Sequence, residues 1–137
     1  MVIDASFMLA LLLPDEEIQG AEQYWRVLSM EGATVPAHWN LEIANALLQA
    51  SRRNRITYLY RTSLIQRLND LPIRSDLETI TACFYDAMAL ADTHKLTAYD
   101  ASYLELAIRT GSSLATLDKA LAEGARKEGV ALIGVVQ

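Results

Sequence analysis

Met1-Val2-Ile3-Asp4-Ala5-Ser6 carries the reading of the whole chain, because a short apolar run stops there at a carboxylate and a helical pattern begins at once. Asp is depleted inside strands, so Asp4 is expected at a strand's end. In an open parallel sheet, ligands bind outside the carboxyl ends of the strands, which places this acid in the functional crevice. The device recurs at Ser113-Leu114-Ala115-Thr116-Leu117-Asp118, where another apolar run closes on an acid and a helix-forming sequence starts at Lys119. Asp between a strand and a helix is also a favoured N-cap, and capping alone accounts for either site taken singly. The repetition directs attention to the remaining acids.

Outward from this opening, Ser6 to Leu13 reads as a short, largely buried helix ended by Pro14. Glu16 to Glu31 reads as an amphipathic helix with the stripe Ile18, Ala21, Tyr24, Trp25 and Leu28, and Gly32 stands where helices commonly end in the left-handed conformation. A short strand is expected at Thr34-Val35-Pro36. A helix from Trp39 to Arg53 follows, with Leu41, Ala44, Leu47 and Leu48 as its apolar face and Glu42, Asn45 and Gln49 on the other side. Ile56 to Leu71 is predicted helical, Pro72 stops it before an edge strand at Ile73-Arg74, and Asp76 is expected to cap the longest helix, which runs to His94. Ala98 to Thr110 is predicted helical as far as Gly111. A strand ending at Asp118, a helix from Lys119 to Glu128 weakened by Gly124, and a strand from Ala131 to Val136 complete the chain. Strands alternating with helices argue for a parallel sheet covered on both faces, a three-layer α/β/α sandwich. With 137 residues and no repeats or low-complexity linker, residues 1–137 are read as one domain.

Composition narrows the function. Hydrophobic residues are 52% of the chain and charged ones 21%, which suits a folded domain and excludes disorder. The single Cys83 lies in an apolar helical stretch, so it has no internal disulfide partner and is expected to fill core in a reducing, cytoplasmic setting. The longest apolar run, Phe7 to Leu13, is too short to span a bilayer and has no basic segment before it, so neither a signal peptide nor a membrane span is expected. A net charge of -5 argues against gripping nucleic acid with the whole surface. With four acids set aside, however, 12 basic residues face 13 acidic ones, so the acidity is concentrated in what would be one cation-binding site.

Those four are Asp4, Glu42, Asp100 and Asp118. Glu42 opens the helix that starts at Trp39, and Asp100 falls in the first turn of the helix that starts at Ala98, where the macrodipole favours an anion with or without a function. Two acids end strands and two open helices, and in a parallel α/β fold those places converge on one edge of the sheet. Clustered carboxylates repel, and a natural cluster of this kind usually holds hard cations through oxygen, Mg2+ or Mn2+ first among them. Two such ions can activate a water and stabilise the leaving oxygen of a phosphodiester during in-line displacement. Ser6 and Thr116, each two residues from an acid, are candidates for orienting water or substrate, or for capping helices.

Other constellations are weaker. His38 and Glu42 are spaced i, i+4, but no second His completes a zinc pattern, and His94 sits near a helix C-terminus where the dipole accounts for it. Neither a dinucleotide fingerprint nor a phosphate loop is present. Arg52, Arg53 and Arg55, with Arg61 and Arg67 beyond, form a basic cluster that either guides a nucleic-acid backbone or is a solvated helix end.

With these residues laid out, the chain resembles a PIN domain, and more narrowly the VapC-like ribonuclease toxins of toxin-antitoxin pairs. Val2-Ile3-Asp4-Ala5-Ser6 is similar to the family's opening motif, Glu42-Ile43-Ala44-Asn45-Ala46-Leu47 to its second, Thr97 to Ala107 to its third, and Ala115-Thr116-Leu117-Asp118 to its fourth. The resemblance covers nearly the whole length. It implies a Mg2+- or Mn2+-dependent endoribonuclease in which Asp4, Glu42, Asp100 and Asp118 form the acidic quartet, with Asn45 and Thr116 at matching polar positions. It also implies a small antitoxin protein that occludes the cleft with a segment carrying Arg or Lys, and a homodimer. Tyr24 and Trp25 are docking anchors for such a partner unless the core takes them. Two other classes stay open at this point. A receiver-like, Mg2+-binding phosphate-handling domain would place acids at strand ends too, although it would show an adjacent acidic pair where this chain has Asp4-Ala5. A non-catalytic module that binds RNA or protein would keep the fold alone.

Overall fold

Five short strands, all parallel, lie at the centre of the computed structural model, which describes residues 1–134. β1 (Val2–Ile3) is the middle strand. On one side follow β2 (Ala33–Pro36) and β3 (Ile73–Asp76), on the other β4 (Leu114–Ala115) and β5 (Leu132–Ile133), so that the order is β3-β2-β1-β4-β5. Val2 stands opposite both Thr34 and Leu114, and Ile3 opposite Ala115. The chain therefore leaves β1 towards one edge, then returns to build the other edge from β4. That reversal makes the β1/β4 boundary the topological switch point, the place where such sheets bind ligands.

The helices are α1 (Ala5–Leu12), α2 (Ala21–Glu31), α3 (Trp39–Arg52), α4 (Tyr58–Asn69), α5 (Thr79–Ala82), α6 (Met88–His94), α7 (Ala98–Thr110) and α8 (Lys119–Lys127). α7 packs on β1, β2 and β4 and gathers α5, α6 and α8 around it, while α1, α3 and α4 pack together. The result is the three-layer α/β/α sandwich expected from the alternation of strands and helices. Val2, Ile3, Leu114 and Ala115 are fully buried, as strands covered on both faces require, and Phe7, Met8, Leu47, Tyr103 and Leu104 join them in one continuous core. Burial of each large apolar side chain contributes about 1.5–3 kcal/mol. Among the described residues no helix is long and apolar enough to cross a membrane.

Several local expectations give way to tertiary structure. α2 begins at Ala21 rather than Glu16, because Gly20 sits in the left-handed conformation and starts the helix there. Gly32 ends it with φ 71, and a Cβ at this position would lie 2.1 Å from the Pro72 carbonyl oxygen, so only glycine fits between α2 and β3. On α3 the buried positions are Trp39, Ile43, Leu47 and Ala50, whereas Leu41, assigned above to the apolar face, is 75% exposed. Both stripes have helical spacing, and periodicity alone does not choose between them. Asp76 ends β3 instead of capping a helix, its carboxylate accepting from the Thr79 hydroxyl at 2.9 Å. The helix expected from Asp76 to His94 starts at Thr79 and continues without a gap to His94, α5 and α6 being joined through a π-helical stretch, Cys83–Ala87, whose Cys83 thiol is half-buried and donates to the Ile80 carbonyl. Gly124 lies in α8 against His94 and Leu104, and a Cβ there would meet both at 3.4 Å, an ordinary van der Waals distance. Of the last expected strand, residues 135–136 lie outside the described residues.

Candidate acidic active site

β1 and β4 end side by side, and the residues just past them interlock. The Asp4 N–H donates to the Ala115 carbonyl at 3.0 Å, carrying the ladder one step beyond the strand. Asp4 Oδ1 then accepts the Phe7 N–H at 2.8 Å and the Ser6 hydroxyl at 2.7 Å, while the Thr116 hydroxyl donates to Oδ2. Thr116 in turn accepts the Asp118 N–H at 3.0 Å, and Asp118 Oδ1 accepts the Leu121 N–H at 2.7 Å. Both acids therefore cap helices, Asp4 for α1 and Asp118 for α8. Capping does not exhaust them. A carboxylate offers about four acceptor sites, and Asp4 fills three with these bonds. Ser6 and Thr116, read above as candidates for orienting water or substrate, spend their hydroxyl protons on holding Asp4.

β2 delivers the third acid. Past Pro36 the chain turns through Ala37 and His38 into α3, and Glu42 lies in that helix's first turn. Its Oε1 accepts the Tyr103 hydroxyl at 2.9 Å, and His38 Nε2 lies 2.9 Å from the same oxygen. The His38 ring stands edge-on to both Tyr99 and Tyr103 at 5.6 Å, and its Nε2 is 3.2 Å from the Ser102 hydroxyl. The fourth acid, Asp100, lies in the first turn of α7, where Thr97 caps the helix by accepting the Asp100 N–H at 3.1 Å. Four stretches distant in sequence thus bring their acids to the carboxyl edge of one sheet.

The carboxylates feel one another. Burial pushes Asp4, 4% exposed, from 3.8 up to about 6, outweighing the hydrogen bonds from Thr116, Phe7 and Ser6, and the charge of Asp100 adds to the rise. Asp100 is also raised, first by burial and then by the charges of Asp118 and Glu42, against the easing effects of Thr97 and His38. The Tyr103 phenol is pushed well above its ordinary value by burial and by the Glu42 charge beside it, so it remains a donor. Among the described residues no Lys or Arg pairs with any of the four acids, and their one ion-pair contact is that of Glu42 with His38.

A hard divalent cation fits this donor set, because carboxylate oxygens are its preferred ligands and the unneutralised charge favours it. Among the described residues no three His, Cys, Asp or Glu side chains are already drawn together as a closed cage.

The remaining sequence candidates fall outside this group of contacts. Asn45 is exposed one turn beyond Glu42 on α3. Arg52 and Arg53 are exposed at the far end of α3, about 15 Å along the helix from Glu42 at 1.5 Å per residue. Arg55 forks onto Asp15 with two 2.8 Å bonds and so already has its counter-charge. Tyr24 meets Phe7 edge-on and Trp25 lies beneath Arg67, both packed against the core. Sequence reasoning saw His38 only as an incomplete zinc pair and missed Tyr103 altogether. The available signal was Tyr103's position three residues after Asp100, on the same helix face.

A cavity of about 580 Å³ lies apart from the acids, between α3, α4 and β3, lined by Trp39, Ile43, Leu47, Ile65 and Leu68 with Arg61 at its wall. The Trp39 indole N–H, buried, has no hydrogen-bond partner among the described residues.

A family model described as PIN domain matches residues 1–127 of this chain. The chain is 32% identical over 124 residues to Ribonuclease VapC3 of Pyrobaculum aerophilum, a match covering 90% of this chain and 92% of that protein. With Ribonuclease VapC3 of Mycobacterium tuberculosis it shares 32% identity over 123 residues, 89% of this chain and 85% of the relative. In fold it is similar to PAE2754 from Pyrobaculum aerophilum, whose crystal structure matches with a TM-score of 0.69 at 23% identity, covering 96% of this chain and 88% of that one.

Proposed function

The chain belongs to the PIN domain family, and from that premise we propose that it is a metal-dependent endoribonuclease, the toxin of a toxin-antitoxin pair, with Asp4, Glu42, Asp100 and Asp118 as its metal-holding acids. Its relatives carry the name ribonuclease over about nine-tenths of this chain's length. The observation that carries the reading is the gathering of acids from four separate elements at one sheet edge, where Asp4 and Asp100 are raised first by burial and further by neighbouring acids, with no Lys or Arg among the described residues to neutralise them. Such an arrangement is costly unless a cation completes it.

When bound, Mg2+ or Mn2+ supplies the positive charge and Lewis acidity that phosphodiester hydrolysis needs, in the manner of two-metal nucleases. The chain's own part is to present oxygen ligands in a fixed orientation. Asp4 is locked by Ser6, Thr116 and the Phe7 N–H, and Asp118 by the Leu121 N–H. Glu42 is held by Tyr103 and His38, and Asp100 is placed by the capped start of α7. Without a cation, this group of acids repels the RNA backbone it is meant to cut. Arg52 and Arg53 support a track for that backbone along α3, away from the chemistry.

The finer parts of the reading rest on other surfaces. The α3/α4 cavity, with its largely apolar walls, supports docking of an antitoxin segment that offers apolar side chains. Leu77, Ile80, Phe84, Tyr85 and Met88 are exposed within one short stretch, which supports pairing of two copies of the chain, and a monomer in light scattering would contradict that pairing.

The test is cleavage of a single-stranded RNA by the purified protein with Mg2+ or Mn2+, repeated in excess chelator. Cleavage only with metal is expected. Cleavage undiminished in chelator contradicts the metal reading, and absence of cleavage under every condition leaves only a module that binds.

A further inference from the structure

We propose that Tyr103 is a positioning residue of the metal site, its buried hydroxyl aiming the Glu42 carboxylate from the opposite helix. This role rests on the acidic quartet holding the metal. Glu42 stands on α3, where its own helix supplies only His38, a partly exposed neighbour one turn earlier. The other hold comes from α7, whose Tyr103 is 1% exposed and ranks first by volume among the fully buried side chains. A buried phenol of that size does not swing, so the 2.9 Å bond to Oε1 fixes Glu42 relative to α7. Asp100 lies three residues earlier on the same helix and the same face. One rigid element therefore sets two of the four acids, Asp100 through its own carboxylate and Glu42 through Tyr103. Hydrogen-bond partners that orient ligands in this way commonly affect metal affinity by about 10–100-fold.

Tyr103→Phe removes the hydroxyl and keeps the ring. Mn2+ titration calorimetry on the RNA-free protein is expected to show affinity weakened by about tenfold, with cleavage by Tyr103→Phe recovering as Mg2+ is raised towards saturation. Glu42→Gln should weaken Mn2+ binding too, and Tyr103→Phe placed on Glu42→Gln should cost less than it does alone, since the hydroxyl acts through that acid. A Tyr103→Phe protein with Mn2+ affinity within about twofold of wild type, independent losses in the double variant, or a Tyr103→Phe protein that no longer folds would each assign the hydroxyl to the core and overturn the proposal. A wild type that takes up no Mn2+ overturns the metal reading itself and this assignment with it. A wild type that binds Mn2+ normally beside an unaffected Tyr103→Phe overturns the assignment alone.

Discussion

α7 carries an acidic cluster at each end, and the two are built on opposite electrostatic plans. At its C-terminal end Arg109 reaches Glu105 at 2.7 Å, Asp76 at 2.6 Å and Glu78 at 3.0 Å, one guanidinium shared among three acids. Asp76 is held below the usual carboxylate range by that hydrogen bond, and Glu105, only 3% exposed, is buried with its counter-charge attached. At the N-terminal end Asp100 faces Asp118 and Glu42, Asp4 is pushed up to about 6, and no guanidinium or ammonium pairs with them among the described residues. A structural cluster supplies its own cation, and a cluster reserved for a ligand leaves the charge open. The direction of the pKa shift separates the two cases.

Removing the one cation should produce the largest effect on stability. Arg109→Met strands Glu105 in the interior beside Asp76, and breaking a buried pair of this kind costs about 3 kcal/mol or more. Urea unfolding checks it. A loss below about 1 kcal/mol would mean that the Arg109 cluster is a surface feature, and the contrast with the crevice would weaken.

The opposite sign is expected at Asp4. Its folded-state pKa is raised, so its share of stability is fully present below 3.8 and is lost as pH climbs through about 6. Asn caps a helix as well as Asp does, so Asp4→Asn should stabilise the metal-free protein at pH 7 by about 3 kcal/mol, the free energy that the rise in this carboxyl's proton affinity represents. That gain should vanish as pH approaches 4. Asp76 behaves in reverse, its contribution being present above 3.8 and lost as acid takes the pH through its depressed folded value. Melting curves of wild type and Asp4→Asn across this range test both arms at once, and an Asp4→Asn protein less stable than wild type at pH 7 would reduce Asp4 to a cap.

The smallest effect concerns the basic end of α3. Charge reversal at Arg52 and Arg53 should weaken RNA binding and flatten its dependence on salt by about 0.7 for each phosphate no longer neutralised. Arg55→Ala should leave that slope unchanged, because Asp15 already neutralises Arg55. An unaltered slope in the Arg52 and Arg53 variants would identify them as a solvated helix end.

Half of this contrast is legible in residue order. Strand ends at Asp4 and Asp118 and helix openings at Glu42 and Asp100 are local signals, and parallel α/β topology carries them to one edge. Their company is not local. Tyr103 and Glu42 are 61 residues apart, and Arg109 and Asp76 are 33 apart, so neither pairing has a periodicity to betray it. Asp76 carried a good capping signal, yet it ends β3 and shares its carboxylate between Thr79 and Arg109. On α3, Leu41 and Ile43 are equally apolar, and only Ile43 joins the core, on the side where α3 packs with α1 and α4. The π-helical stretch Cys83–Ala87 packs against α7, and no sequence pattern pointed to it.

One matched pair of substitutions addresses the contrast directly: Asp100→Asn in the open cluster and Asp76→Asn in the closed one, with RNA cleavage in Mg2+ as the measurement. Asp100→Asn should abolish metal-dependent cleavage while leaving the metal-free melting temperature unchanged or higher, since one repelling charge is gone. Asp76→Asn should cleave RNA at the wild-type rate at temperatures where it is folded, and melt earlier. Wild-type cleavage by Asp100→Asn would contradict the account, because the charge left open at the sheet edge would then serve no metal.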